Sequence, residues 1–164
     1  NELLSSKGMA GMLNTTWLIF TAMMFGGVME CSGMLKKIAG SILSFAKSTG
    51  SLIASTASTC IFFNLTASDQ YLAIVVPGRM YADVYRDRKL APENLSRTLE
   101  DSGTVTSVLV PWNTCGAYHS SVLAVSPMDF IPYCFFNIIS PVMTMAFGFF
   151  NIKIKKLEEG GGQE

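Results

Sequence analysis

The chain has 164 residues, 49% of them hydrophobic and only 15% charged, with 12 basic side chains balancing 12 acidic ones. A water-soluble domain carries about a quarter charged residues, so the deficit argues against a soluble enzyme or binding domain. Zero net charge without a basic stripe argues against a nucleic-acid partner.

The charges are clustered. None falls between Gly8 and Met29, only Asp69 falls between Thr49 and Arg79, and only Asp129 falls between Gly103 and Lys153. Each stretch exceeds the roughly 20 apolar residues that cross about 30 Å of hydrocarbon. An all-α membrane protein whose partner is the lipid bilayer is therefore expected. Asn1 opens the chain without a charged, then apolar, leader pattern, so a fragment starting mid-protein is expected, with no signal peptide.

The first predicted element, 9–35, is a transmembrane helix, apolar nearly all round from Trp17 to Phe25, with Gly26-Gly27, Glu30 and Ser32-Gly33 towards its end. Residues 36–48 place Ile38, Ile42 and Phe45 at helical spacing between lysines, which predicts an interfacial helix. The second element, 50–78, has a hydroxyl-rich start, a polar middle from Asn64 to Gln70, and an expected stop at Pro77-Gly78. Residues 79–100 hold most of the charge and are expected to form a cytoplasmic loop, with a short helix opening after Pro92. The third element, 102–125, has Pro111-Trp112-Asn113-Thr114-Cys115-Gly116 at its centre; the proline and glycine predict a broken helix. Glu100 and Asp101 are expected to cap its start, where negative charge is favourable. The fourth element, 128–150, contains Pro141 and ends at Lys153, Lys155 and Lys156. Residues 151–164 form the tail, whose end, Gly160-Gly161-Gly162-Gln163-Glu164, reads as flexible.

Two apolar segments with polar, helix-breaking centres mark a transporter's substrate site, because irregular backbone is tolerated inside a bilayer only where it lines a cavity or is buried in protein. Asp69 is the only acid deep in either segment, and an acid at that depth is expensive enough to be read as functional. Candidate oxygen ligands for a hard cation are Asn64, Thr66, Ser68 and Asp69 at the first break, with Asn113 and Thr114 at the second. Asp69 is the expected sodium ligand and, with Glu30, the expected proton pathway. The cysteines Cys31, Cys60, Cys115 and Cys134 include no C-x-x-C pair, so no metal framework or cofactor is expected beyond transported ions. His119, the sole histidine, is expected to face a neighbouring helix or the interface. Asn64-Leu65-Thr66 and Asn94-Leu95-Ser96 match the glycosylation pattern but are discounted, the first by membrane depth and the second as cytoplasmic.

The runs NLTASDQYLAIVVPGR (64–79) and NLSRTLEDSGTVTSVLVPWNTCGAY (94–118), with FGGVMECSGML (25–35), resemble the NhaC-type sodium/proton antiporter family, in its C-terminal part. The resemblance implies a fragment of an inverted-repeat transporter. In it, 50–78 is either a re-entrant hairpin with its tip near Thr66 to Asp69 or a broken helix, 102–125 is a second broken helix, and an N-terminal half of the same transporter is the missing partner. A homodimer is a further candidate assembly. The implied function is secondary active exchange of sodium for protons across a bacterial inner membrane, with no enzymatic activity. Exchange of small organic acids such as malate and lactate, coupled to sodium or protons, is the alternative, because the family includes such relatives. The positive-inside rule puts the lysine and arginine clusters at 36–47, 79–97 and 153–156 in the cytoplasm, which requires 50–78 to enter and leave on one side.

Overall fold

The computed structural model describes residues 8–44, 46 and 48–157; several side chains of the first two helices, Glu30 and Lys36 among them, lie outside that description, as does Lys47. In chain order the helices are α1 (Gly8–Cys31), α2 (Met34–Ser44), α3 (Thr49–Thr66), α4 (Gln70–Asp87), α5 (Pro92–Leu99), α6 (Thr114–Leu123), α7 (Pro127–Phe130) and α8 (Phe135–Phe149). Between α5 and α6 the chain passes through a π-helical segment, Glu100–Thr104, and a 3₁₀ turn, Ser107–Leu109. Among the described residues there is no strand, only an isolated bridge between Leu90 and Lys156.

The first expected span is divided. Gly33 takes a left-handed φ of 71°, a conformation glycine adopts at little cost, so α1 ends at Cys31 and α2 starts at Met34.

Residues 49–87 fold as an antiparallel helical hairpin. Ser48 caps its first arm: its Oγ accepts from Ser51 N at 3.2 Å while Ser51 Oγ accepts from Ser48 N at 2.8 Å. The arms are pinned by hydroxyl pairs, Thr59 Oγ1 with the Tyr81 hydroxyl at 2.8 Å and Thr56 Oγ1 with the Tyr85 hydroxyl at 3.3 Å. The tip is three residues, Ala67 to Asp69, with Ser68 at a positive φ of 57°.

Two boundaries need correction. The second arm does not stop at Pro77-Gly78 but runs through Pro77 to Asp87, so much of the expected loop 79–100 is helical. An interior proline costs about 3 kcal/mol. Burying a large side chain recovers roughly 1.5–3 kcal/mol, and here two, Tyr81 and Tyr85, are fully buried against α3. The helical path into the second break also begins earlier than 102. Ala91 is extended (ψ 143°) and Pro92 sits in the first turn of α5, where its missing N–H is harmless.

The core gathers Leu52, Ile53 and Cys60 of α3, Tyr81 and Tyr85 of α4, and Leu90, Leu95 and Leu99 around α5. α8 crosses α3 closely at two glycines. A Cβ on Gly50 would lie 2.8 Å from Phe149 Cα, and one on Gly148 would lie 3.0 Å from Ile53 Cγ2. Among the described residues no single helix is long and apolar enough to cross a membrane; Pro127–Tyr133 and Phe135–Phe149, bent by 56°, pass that test together.

Candidate ion site at the crossing of two helix breaks

The hairpin tip and the break before α6 meet. α3 ends at Thr66 and α4 begins after Asp69; the other path ends its 3₁₀ turn at Leu109, and Val110 is extended (φ −101°, ψ 112°). α6 then starts behind its cap, Asn113. Each helix start is capped by its own side chain. Asp69 Oδ1 accepts from Tyr71 N at 3.0 Å, and Asn113 Oδ1 accepts from Cys115 N at 3.2 Å. Two helix N-termini, each carrying partial positive charge, thus converge on one place.

Buried carboxamides tie the breaks together. Asn64 Nδ2 donates to Gly103 O at 2.7 Å and to Thr106 Oγ1 at 3.0 Å. Asn113 Nδ2 donates to Asn64 Oδ1 at 3.1 Å and to Asn64 O at 3.3 Å. Both asparagines are fully buried. The backbone closes the junction, with Thr114 N donating to Ser68 O at 3.1 Å. Trp112 Nε1 donates to Leu65 O at 2.8 Å and so occupies a carbonyl at the open end of α3.

Glycine makes this approach feasible at two positions. A Cβ on Gly116 would come within 2.2 Å of Val110 O, so α6 can turn back over the break only without a side chain there. A Cβ on Gly103 would meet Ile74 Cγ1 at 3.0 Å.

Of the expected ligands, Asn64, Ser68, Asn113 and Thr114 are brought together by direct bonds. Asp69 adjoins them as the half-buried N-cap of α4. The Thr66 hydroxyl bonds back to Phe62 O at 2.8 Å within its own helix. Glu30 lies near the end of α1, and its side chain is outside the described set. His119 is exposed on α6, with its ring 6.0 Å from that of Tyr118.

Residue-by-residue reading missed Gln70. Its Oε1 accepts from Cys115 Sγ at 2.7 Å and from Ser107 Oγ at 3.4 Å, bridging both sides of the second break to the start of α4. The available signal was its place in the polar run that also holds Asn64 and Asp69.

The expected capping role of Asp101 is corrected. The helix has already run from Pro92, so Asp101 stands in the π-helical segment and accepts from two hydroxyls of α8, Ser140 Oγ at 3.3 Å and Thr144 Oγ1. Glu100 accepts from Thr104 Oγ1 at 3.1 Å, one turn along the same segment. Asn94 is buried and exchanges bonds with the Lys155 backbone, its Nδ2 donating to Lys155 O at 2.6 Å.

The fold is thus an all-α one in which buried amides tie a helical hairpin's tip to the break before α6. The chain belongs to the Na+/H+ antiporter family, whose model matches residues 2–152. It is 38% identical over 149 residues to the Na(+)/H(+) antiporter NhaC of Alkalihalophilus pseudofirmus, covering 91% of this chain and 32% of that protein. It is 36% identical to the arginine/ornithine antiporter ArcD of Halobacterium salinarum, covering 91% of this chain and 31% of the relative. It is 29% identical to the malate-2H(+)/Na(+)-lactate antiporter of Bacillus subtilis, covering 91% and 32%. The chain thus spans about a third of the length of the curated relatives it matches. No solved structure matches it.

Proposed function

We propose that this chain forms the C-terminal part of a multi-pass, secondary active transporter of the bacterial cell membrane that exchanges sodium for protons. The observation that carries the reading is the junction of the two breaks, where Thr114 N bonds Ser68 O beside Asp69 and Asn113 bonds Asn64. The NhaC likeness supplies the ion pair. Asp69 is the shared carboxylate. Sodium, a hard cation, takes oxygen ligands from Asp69, Asn64, Thr66, Ser68, Asn113 and Thr114, and a proton competes for the same carboxylate. Because every other ligand is neutral, one sodium or one proton satisfies the charge and both together do not. Alternating access then requires the hairpin and the broken helix to exchange partners at the junction. Glu30 serves proton entry, and the lysine and arginine clusters face the cytoplasm.

The test is Asp69→Asn in the full-length protein, reconstituted in proteoliposomes. Asparagine caps a helix as well as aspartate, so folding should survive while sodium-driven proton movement disappears. Exchange at the wild-type rate would remove Asp69 from the mechanism. Glu30→Gln should shift the pH dependence of transport, and an unchanged profile excludes Glu30.

A second reading, exchange of small organic acids, is favoured by one feature: two helix N-termini at the junction suit a carboxylate as well as a capping side chain. Exchange of labelled lactate for malate across the proteoliposome membrane, which sodium/proton exchange does not produce, would select it.

A further inference from the structure

The π-helical segment Glu100–Thr104 is held from two sides. On one side Gly103 O receives the Asn64 carboxamide. On the other, α8 presents Asn137, Ser140 and Thr144 at helical spacing on one face. Asn137 Nδ2 donates to Val105 O at 2.7 Å, and the two hydroxyls donate to the two oxygens of Asp101. Thr144 is buried and Asp101 half-buried. Asp101 also borders a cavity of about 290 Å³, whereas a single water needs on the order of 10–15 Å³. The remaining walls include Arg97 and the apolar side chains Phe136, Ile139, Met143 and Phe147. The next residue, Ser102, is fully buried and its Oγ has no hydrogen-bond partner. An orphan of this kind costs about 1–3 kcal/mol, and π-helical turns are frequent at functional sites.

The geometry points to Asp101 as a second proton-carrying carboxylate of the exchange, separate from the junction and served by water in the cavity beside α8. The inference rests on the exchange reading. A hydroxyl donates to a carboxylate and accepts from a carboxylic acid, so Ser140 and Thr144 engage Asp101 in either state, while only the ionised carboxylate accepts from both at once. The proton step balances simply. A proton from cavity water adds to one Asp101 oxygen to give the neutral acid; it returns to water when sodium enters the junction.

The charged and titratable surroundings are few. α8 carries no ionisable side chain, and α3 carries only Cys60. Arg97 on α5 shares the cavity, with its guanidinium 6.0 Å from the Phe147 ring centre. Glu100 is engaged by Thr104. α4 meets the segment at Gly103 through Ala73 and Ile74. Its ionisable groups are Tyr71, Arg79, Tyr81, Asp83, Tyr85, Arg86 and Asp87, of which Asp83 and Arg86 pair with each other at 3.7 Å and the Tyr81 and Tyr85 hydroxyls bond α3.

The experiment measures protons released when sodium chloride is added to the purified full-length transporter in weakly buffered detergent, with choline chloride as control and tracer sodium binding measured in parallel. Asp101→Asn should bind sodium but release about half the wild-type protons, as expected when one of two titrating groups is removed, and Asp101→Glu should restore the count. Ser140→Ala with Thr144→Val keeps the carboxylate but removes two bonds that favour its ionised form. That double variant should release the full count with its half-release point displaced to higher pH, which a merely structural role would not do. Should Asp101→Asn fail to fold, the double variant decides, and an unmoved profile overturns the inference. Wild-type proton release by a well-folded Asp101→Asn protein, while Asp69→Asn releases fewer, overturns the inference and leaves the exchange reading standing. A wild-type protein that binds sodium and releases no protons overturns both.

Discussion

The base and the tip of the α3–α4 hairpin are both buried and both polar, yet they solve the same problem differently. At the base, Thr56 Oγ1 donates to Leu52 O and Thr59 Oγ1 to Ser55 O, each at 2.8–2.9 Å within its own helix, before a tyrosine joins them. Such hydroxyls are satisfied locally and serve packing. At the tip, Asn64, Gln70 and Asn113 bond across elements and to backbone groups that broken helices leave unpaired. Polar groups that can be satisfied only by one another form a network in which every member depends on the rest. That dependence suits the proposed exchange, in which the junction opens and re-forms.

The contrast can be broken most forcefully at Gly116. Gly116→Ala drives a Cβ into the Val110 carbonyl, and overpacking against backbone should cost about 3 kcal/mol or more. Unfolding of the full-length protein in detergent, followed by circular dichroism, should register this together with loss of transport. Asn64→Ala comes next. It leaves the Asn113 amide and Gly103 O without their partner inside the junction, for about 2–3 kcal/mol. Combined with Asn113→Ala the two losses should be clearly less than additive; strict additivity would mean that the tip is no network. Tyr81→Phe, at the base, should cost only about 1 kcal/mol and leave the sodium dependence of transport unchanged. If it altered sodium affinity, base and tip would have to be treated as one functional unit. Arg86→Gln breaks only an exposed pair with Asp83 at 3.7 Å, and its effect should stay under about 0.5 kcal/mol.

Much of the junction was legible because its residues break rules visible in one dimension. A polar run from Asn64 to Gln70 inside an apolar stretch announced the first break, Pro111 and Gly116 around Asn113 announced the second, and the lone acid Asp69 drew attention to the first. What could not be read was which residues the breaks would meet. Gly103 O and Thr106 reach Asn64 across some 40 positions of chain, and nothing at either end encodes the pairing. Pro77 misled because its penalty is local, whereas the burial of Tyr81 and Tyr85 that outweighs it depends on α3. Asp101 misled for the opposite reason. Its neighbours look like a helix start, but the start lies at Pro92, and the two hydroxyls that engage it lie on α8.

The π-helical segment has a consequence for which lengths of chain this architecture tolerates. A helix advances about 100° per residue, so removing a residue from a regular turn swings everything beyond it by about that angle. The wide turn Glu100–Thr104 spreads one revolution over an extra residue. Deleting one residue there would close it to an ordinary turn and keep the chain on either side nearly in phase. A one-residue deletion should therefore be better tolerated between 100 and 104 than within the regular turns of α5, where it would turn one buried face away from the core.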